Sequence, residues 1–118
     1  MQTIPKFIDY LEFQKSSCLN KADDLKRQDR QDEANLSKIR SNIFAVFISV
    51  ANVAAKQFAD NSNEFICNQI EKLTAEWKAS LAEAKHFDDY IKTTQGHIKI
   101  DTADEIKAEF MRLLGEGQ

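Results

Sequence analysis

The chain has 118 residues, a net charge of −3, 42% hydrophobic residues and 30% charged residues. This length predicts one domain over residues 1–118, and the composition excludes wholesale disorder. The acidic balance disfavours a dedicated nucleic-acid binder, which normally carries a basic surplus. Two distant cysteines form no disulfide framework, the N-terminus lacks a signal-peptide pattern, and no apolar run reaches the roughly 18 residues of a membrane span. We therefore expect a soluble cytoplasmic protein that does not enter a membrane.

Helix-breaking residues are absent from most of the chain: neither glycine nor proline occurs between Lys6 and Gln95. A β-rich domain of this size would normally need several such residues for its turns. The same stretch is rich in Ala, Leu, Lys, Glu and Gln, which favour helix. The sequence therefore predicts an all-α fold, at least about 70% helical, without a sheet of three or more strands.

Apolar residues at three- and four-residue spacing predict a first helix over about residues 4–28. Pro5 suits the first turn of this helix, where its missing N–H is not needed. The periodicity lapses once, at Lys15. The first helix is therefore expected to bury one face.

A turn is predicted next, at residues 29–31. Asp29 tolerates the left-handed conformation better than most residues, and Asp32 suits the first turn of a following helix. Two alternatives remain open, because the apolar register continues through this segment. The break could come earlier, at Asn20, or one helix could continue unbroken to Ala59.

A second helix is predicted over about residues 32–59, and its centre reads IFAVFISVANVAA. At 100° per residue its apolar side chains cover an arc of roughly 220°, whereas an ordinary surface helix shows a stripe of about 100°. This helix therefore needs partners on most sides. They must come from its own chain or from a second copy.

A third helix is predicted to begin at a capping box formed by Asn61 and Glu64 and to end at Gly96. Its apolar positions alternate strides of four and three, as packing in a left-handed bundle requires. This stripe consists of Ile66, Ile70, Leu73, Trp77, Ser80, Ala84, Phe87 and Ile91.

The last predicted helix is short and covers about residues 103–114. Thr102 and Glu105 have the spacing of a capping box at its start. The alternating segment 97–100 is too short to predict a strand. The expected architecture is an antiparallel helical bundle of three long helices plus a short C-terminal helix.

Three segments of the chain carry a resemblance: RQDEANLSKIRSNIFAVF, AEWKASLAEAKHFDD and DTADEIKAEF. They resemble segments of small, all-helical bacterial proteins of unknown function, and the likeness spans most of the chain. The resemblance implies a helical bundle. It implies no activity, cofactor or site residue.

Candidate catalytic and metal-binding residues are few. Glu83 and His86 have the Glu-x-x-His spacing of di-iron bundles, but only one such pair occurs, and it lies opposite the apolar stripe. Cys18 and Cys67 lie on or beside apolar stripes, where cysteine usually packs as a small hydrophobe. We therefore expect no catalytic residue, no metal ion and no cofactor.

Two charged clusters are also expected to be inert. Lys26, Arg27 and Arg30 are interleaved with acidic residues, so they do not form the uncompensated basic surface that phosphate binding needs. Asp88 and Asp89 are neighbours on the predicted third helix, where adjacent side chains point about 100° apart. They therefore do not suit a catalytic carboxylate pair.

Association is the function that remains. The excess apolar surface of the second helix, together with a second aromatic face on the first, predicts a non-enzymatic, homodimeric protein-interaction module. This interpretation also allows a further protein partner. The candidate interface residues are Tyr10, Phe13, Phe44, Phe47, Ile48 and Ala51. The alternative is a small ligand-binding or enzymatic bundle with an interior pocket near Trp77, expected to be largely buried, and Phe87.

Overall fold

The computed structural model describes residues 3–116. They form four α-helices of similar length, and no strand occurs within these residues. The all-α prediction is therefore confirmed, with Pro5 in the first helical turn. The helices are α1 (Thr3–Arg27), α2 (Gln31–Gln57), α3 (Ser62–His86) and α4 (Tyr90–Glu116).

α1 and α2 form a hairpin that is closed by a Schellman turn. Asp29 has a φ of 59°, in the left-handed region. The N–H of Arg30 donates to the carbonyl of Leu25 at 2.9 Å, and the N–H of Asp29 donates to Lys26 at 3.1 Å. These are the two bonds that define the motif. The predicted turn is confirmed, and both alternatives, a break at Asn20 and an unbroken helix, are wrong.

α3 and α4 form a second hairpin with the same kind of turn, which the sequence reasoning missed. Asp88 has a φ of 52°. The N–H of Asp89 donates to the carbonyl of Ala84 at 2.9 Å, and that of Asp88 donates to Lys85 at 3.2 Å. The carboxylate of Asp89 then accepts the N–H of Lys92 at 3.0 Å and caps α4. The prediction that both aspartates lie within one helix is therefore wrong.

The fourth helix has 27 residues, so the expected short C-terminal helix is also wrong. Gly96, predicted to end the third helix, lies inside α4, where an added Cβ would be 3.3 Å from the Leu81 Cβ and 3.1 Å from its Cδ1. The glycine therefore allows a close approach of α3 and α4. Thr102, predicted as an N-cap, is buried within α4, and its hydroxyl donates to the carbonyl of Ile98 at 2.7 Å.

One core fills the part of the molecule that lies away from the two hairpin turns. All four helices contribute to it, but α2 contributes only from Ile43 onward and α4 only from Ala103 onward. Its buried residues are Phe7, Leu11, Cys18, Ile43, Phe44, Phe47, Ala51, Ala54, Ile66, Ile70, Ala103, Ile106, Phe110 and Leu113. A separate small cluster of Ala22, Leu25 and Ala34 closes the α1–α2 hairpin near its turn.

The helix directions follow from contacts along their length. Phe7, near the start of α1, packs against Phe110, near the end of α4, with ring centroids 4.7 Å apart. The Nζ of Lys6 lies 3.9 Å from Oε1 of Glu116 at the same end. α1 therefore runs antiparallel to α4, and both hairpin turns lie at one end of the molecule, which we call the tip end.

The connection between α2 and α3 is held by two stacked aromatic rings. Phe58 and Phe65 have ring centroids 4.3 Å apart and planes inclined by only 10°. Asn61 occupies the predicted N-cap position of α3, but its side chain makes no capping hydrogen bond. The start of α3 was thus predicted correctly, while the capping box was not.

α2 is long and apolar enough to cross a membrane by length and composition, with a mean hydropathy of 1.2 over 18 residues. The sequence expectation concerned an uninterrupted apolar run, and polar residues interrupt the apolar runs of α2, so the two measures describe different properties. The core helix of a soluble protein passes the same test. Here α2 supplies Phe44 and Phe47 to the core.

Candidate functional site

The predicted interface residues do not form one surface. Phe44, Phe47 and Ala51 are fully buried, at 0% exposure, so no partner can reach them in this structure. Tyr10 and Ile48 are partly buried against the same core. The physical reason is that α1, α3 and the part of α4 from Ala103 onward already pack around these side chains of α2.

Phe13 is the predicted interface residue that does face outward, with 68% of its surface exposed. Its supposed neighbour Tyr10 turns inward, where its ring packs edge-on against Phe44 at 6.1 Å. Of these two aromatic side chains, only Phe13 is exposed. An exposed apolar side chain is common on soluble proteins and does not by itself mark a site.

Three large apolar side chains are exposed together at the α3–α4 turn, and we call them the turn patch. Phe87 is 71% exposed, Tyr90 81% and Ile91 68%. The heptad pattern had placed Phe87 and Ile91 on the packed stripe of the third helix. They are outside because α3 ends at His86 and the chain reverses at Asp88.

A sequence signal for this surface existed. The pair Asp88-Asp89 marks a helix end in the way that Asp29 does, since aspartate tolerates the left-handed conformation and also caps a following helix. The argument that predicted the turn at Asp29 also fits Asp88, and it would have ended the third helix and its heptad repeat at Phe87.

The turn patch borders a groove of about 400 Å³ between the two hairpins. Its walls come from the first turns of α2 and of α4, at the tip end, where the core does not reach. The lining residues are Asp32, Asn35, Leu36, Tyr90, Ile91, Thr94 and Gln95. Leu36 also lines a groove of about 230 Å³ with Lys21, Leu25, Glu33, Ser37, Arg40 and Ile98. The two hairpin tips are thus separated by an open, partly apolar seam.

Charges of both signs flank Tyr90. Asp32 lines the groove on the α2 side of the ring. Lys85 and Asp88 line a second depression, of about 220 Å³, that also includes Tyr90 and Thr93. Within residues 3–116, neither Asp32 nor Lys85 has an ion-pair partner. Both charges are therefore available to a molecule that covers the turn patch.

A polar cluster that the sequence reasoning missed joins α2 to α4. The Arg40 guanidinium donates to both carboxylate oxygens of Glu105, with Nη2 and Oε1 2.9 Å apart, and it lies over the Phe44 ring at 5.2 Å. This hydrogen bonding lowers the pKa of Glu105. Burial, followed by the charges of Glu105 and Glu109, raises the pKa of Tyr10 to about 12. The cluster holds helices together, since its charged groups already satisfy one another.

Trp77 and Phe87, named for the alternative interior pocket, do not lie together in the part of the chain that the structure describes. Trp77 is partly buried against the core, with its ring edge-on to Phe47 at 6.1 Å, which agrees with the expectation that most of this side chain is covered. It borders a groove of about 180 Å³ together with Ser80, Leu81, Lys92, Gln95, Gly96 and Lys99. Phe87 is absent from this lining and faces solvent at the turn.

The remaining candidate ligands stay scattered. Glu83 and His86 are both exposed on the last turns of α3. Cys18 is buried and Cys67 partly buried, both are free thiols, and burial raises the pKa of Cys67. In the part of the chain that the structure describes, no three His, Cys, Asp or Glu side chains group closely enough to hold a metal ion.

Comparison of the chain with protein families, with curated proteins and with solved structures found no match in any of the three.

Proposed function

We propose that this chain is a cytoplasmic, non-enzymatic helical interaction module, built as an antiparallel bundle, that binds a protein partner through the turn patch. The observation that carries the proposal is the exposure of Phe87, Tyr90 and Ile91, three large side chains within five consecutive residues at one hairpin tip. They leave roughly 400–500 Å² of largely apolar surface uncovered, within the range of about 300–600 Å² for the largest, often functional, patch on a monomer.

The chemistry of the patch suits a contact surface. Aromatic side chains such as Tyr90 supply most of the binding free energy in many interfaces, because they bury a large area and still carry a polar group. A rim of polar and charged residues surrounds the patch, as at the edges of other interfaces. The adjoining groove of about 400 Å³ offers a place for a protruding side chain of the partner.

The backbone beneath the patch is fixed before any partner binds. The Schellman bonds from Asp88 and Asp89 hold the turn, and the Asp89 carboxylate caps α4 directly before Tyr90 and Ile91. A surface that is ordered in advance loses less conformational entropy on binding. The ligand-binding alternative has less support, since the groove at Trp77, of about 180 Å³, is smaller than the roughly 300 Å³ of a small ligand pocket.

Site-specific photo-crosslinking in the cells that make this chain tests the proposal. A benzophenone amino acid placed at Tyr90 is expected to give a covalent adduct with a protein. The same amino acid at Phe13, which is similarly exposed on α1, is the matched control and is expected to give none. Absence of any adduct from position 90, or equal labelling from position 13, would refute the proposed surface.

A further inference from the structure

We propose that the occupant of the turn patch is a second copy of this chain, related by a two-fold axis that passes beside Tyr90. This inference rests on the proposed function, because it names the partner for the same surface. It replaces the α2-centred dimer expected from the sequence with a contact between hairpin tips.

The placement of charges around Tyr90 is what points to a second copy. Asp32 lines one groove together with Tyr90, and Lys85 lines a separate depression that also includes Tyr90. A two-fold axis in the contact plane, passing between these two depressions, exchanges them. Each Lys85 then faces the partner's Asp32, while the apolar side chains of the two turn patches cover one another.

A partner of one charge sign would fit this surface less well. A basic segment could approach Asp32 and Asp88, but it would be repelled by Lys85, and an acidic segment would meet the reverse arrangement. Both ionic groups find an opposite charge only on a surface with the same mixed pattern. A second copy supplies that pattern without any further requirement.

The area of the patch limits the strength of the contact. Standard interfaces bury about 800 Å² per partner, whereas the three apolar side chains expose roughly 400–500 Å². The rim must contribute the rest, so we expect a reversible dimer that forms at about 100 µM and dissociates near 1 µM.

Charge reversal combined with light scattering tests the geometry. The wild-type mass at about 100 µM is expected to approach twice 13.5 kDa. Lys85→Glu alone and Asp32→Lys alone each place like charges opposite one another, so each is expected to be monomeric. The double variant restores opposite charges in exchanged positions and is expected to recover the dimer.

Two controls separate this effect from net charge and from misfolding. Lys72→Glu makes the same net-charge change as Lys85→Glu, at an exposed position about 20 Å further along α3, and it should leave the dimer intact. Far-UV circular dichroism should show the same helix content in all four variants.

Three results would overturn the inference: a wild-type chain that stays at 13.5 kDa at about 100 µM, a dimer that survives Tyr90→Asp, or a double variant that stays monomeric. The proposed function is judged separately. An adduct between position 90 and a different protein, with no self-adduct, would leave the interaction module standing and remove the self-association.

Discussion

Asp29 and Asp88 carry the two chain reversals at the tip end, and both have the positive φ values that L-residues rarely adopt. Aspartate tolerates this conformation better than most side chains, but it still has a Cβ that crowds the backbone. Glycine is the usual residue at this position of a Schellman turn. The two turns therefore form without the residue type that would favour them most.

We predict that Asp29→Gly and Asp88→Gly each stabilise the fold by about 0.5–1 kcal/mol, because glycine removes the left-handed strain. The control is Glu12→Gly, at an exposed position inside α1, where glycine should destabilise by about 0.5 kcal/mol. Urea denaturation gives each change. Destabilisation by either aspartate replacement would mean that its side chain contributes more than its backbone strain costs.

Gly96 gives a second prediction at this scale, with Gly115 as its internal control. Gly96→Ala gains about 0.5–1 kcal/mol of helix propensity, but its Cβ would lie 3.3 Å from the Leu81 Cβ, which no side-chain rotation can move. Since overpacking costs about 1–3 kcal/mol, we expect net destabilisation by about 1 kcal/mol. At Gly115 an added Cβ would meet no atom within 4 Å, so Gly115→Ala should be neutral or stabilising. Thermal melts of the two variants measure the difference.

At the scale of elements, the Arg40–Glu105 pair joins α2 to α4 beside the tyrosine of α1. The Tyr10 ring is partly buried there, and the neighbouring carboxylates of Glu105 and Glu109 oppose its ionisation. The raised pKa thus reports the packing of three helices on one another. It is an experimental probe of their contact that needs no label.

We predict that Tyr10 ionises near pH 12 in the folded chain, against an ordinary value of 10.0. Tyr90→Phe leaves Tyr10 as the single tyrosine, so ultraviolet absorbance can follow it alone. Because the folded pKa is raised, its contribution to stability is complete below about pH 10 and is lost as the pH rises toward 12. Titration of folded Tyr10 at the same pH as in denaturant would contradict the contact of the three helices.

For the whole molecule, the main feature is an unequal distribution of the core. The buried cluster draws on α2 from Ile43 and on α4 from Ala103, whereas the tip end holds grooves and the small cluster around Leu25. Regions with few buried apolar contacts open more readily than the core. The tip end should therefore be the less stable part of every helix that reaches it.

Amide hydrogen exchange at about 1 µM, where the chain is expected to be monomeric, tests this gradient. We predict that amides of 31–40 and 90–101 exchange at least about tenfold faster than those of 43–54 and 103–113. The comparison lies within single helices, so intrinsic differences between helices do not affect it. Uniform protection along α2 and α4 would show that the tip end is as stable as the core end.

The sequence alone determined the helical class, the existence of α1 and α2 and the turn at Asp29. These features follow from local causes: apolar periodicity, the absence of Gly and Pro, and the few residues that tolerate a left-handed backbone. The apolar arc of α2 also identified the helix that the core would surround. It could not say whether α4 or a second copy would cover that arc.

The tertiary structure alone decided the roles of Gly96 and Thr102 and the exposure of Phe87 and Ile91. In the sequence, glycine or threonine looks the same whether it ends a helix or lies inside a packed one. The contact of Gly96 with Leu81 and the hydrogen bond of Thr102 to the Ile98 carbonyl show that both residues lie inside α4. A heptad pattern likewise marks the side chains that could face a core, but not how far that core extends. Here it ends before the α3–α4 turn, so the last apolar residues of the repeat become the surface proposed to bind a partner.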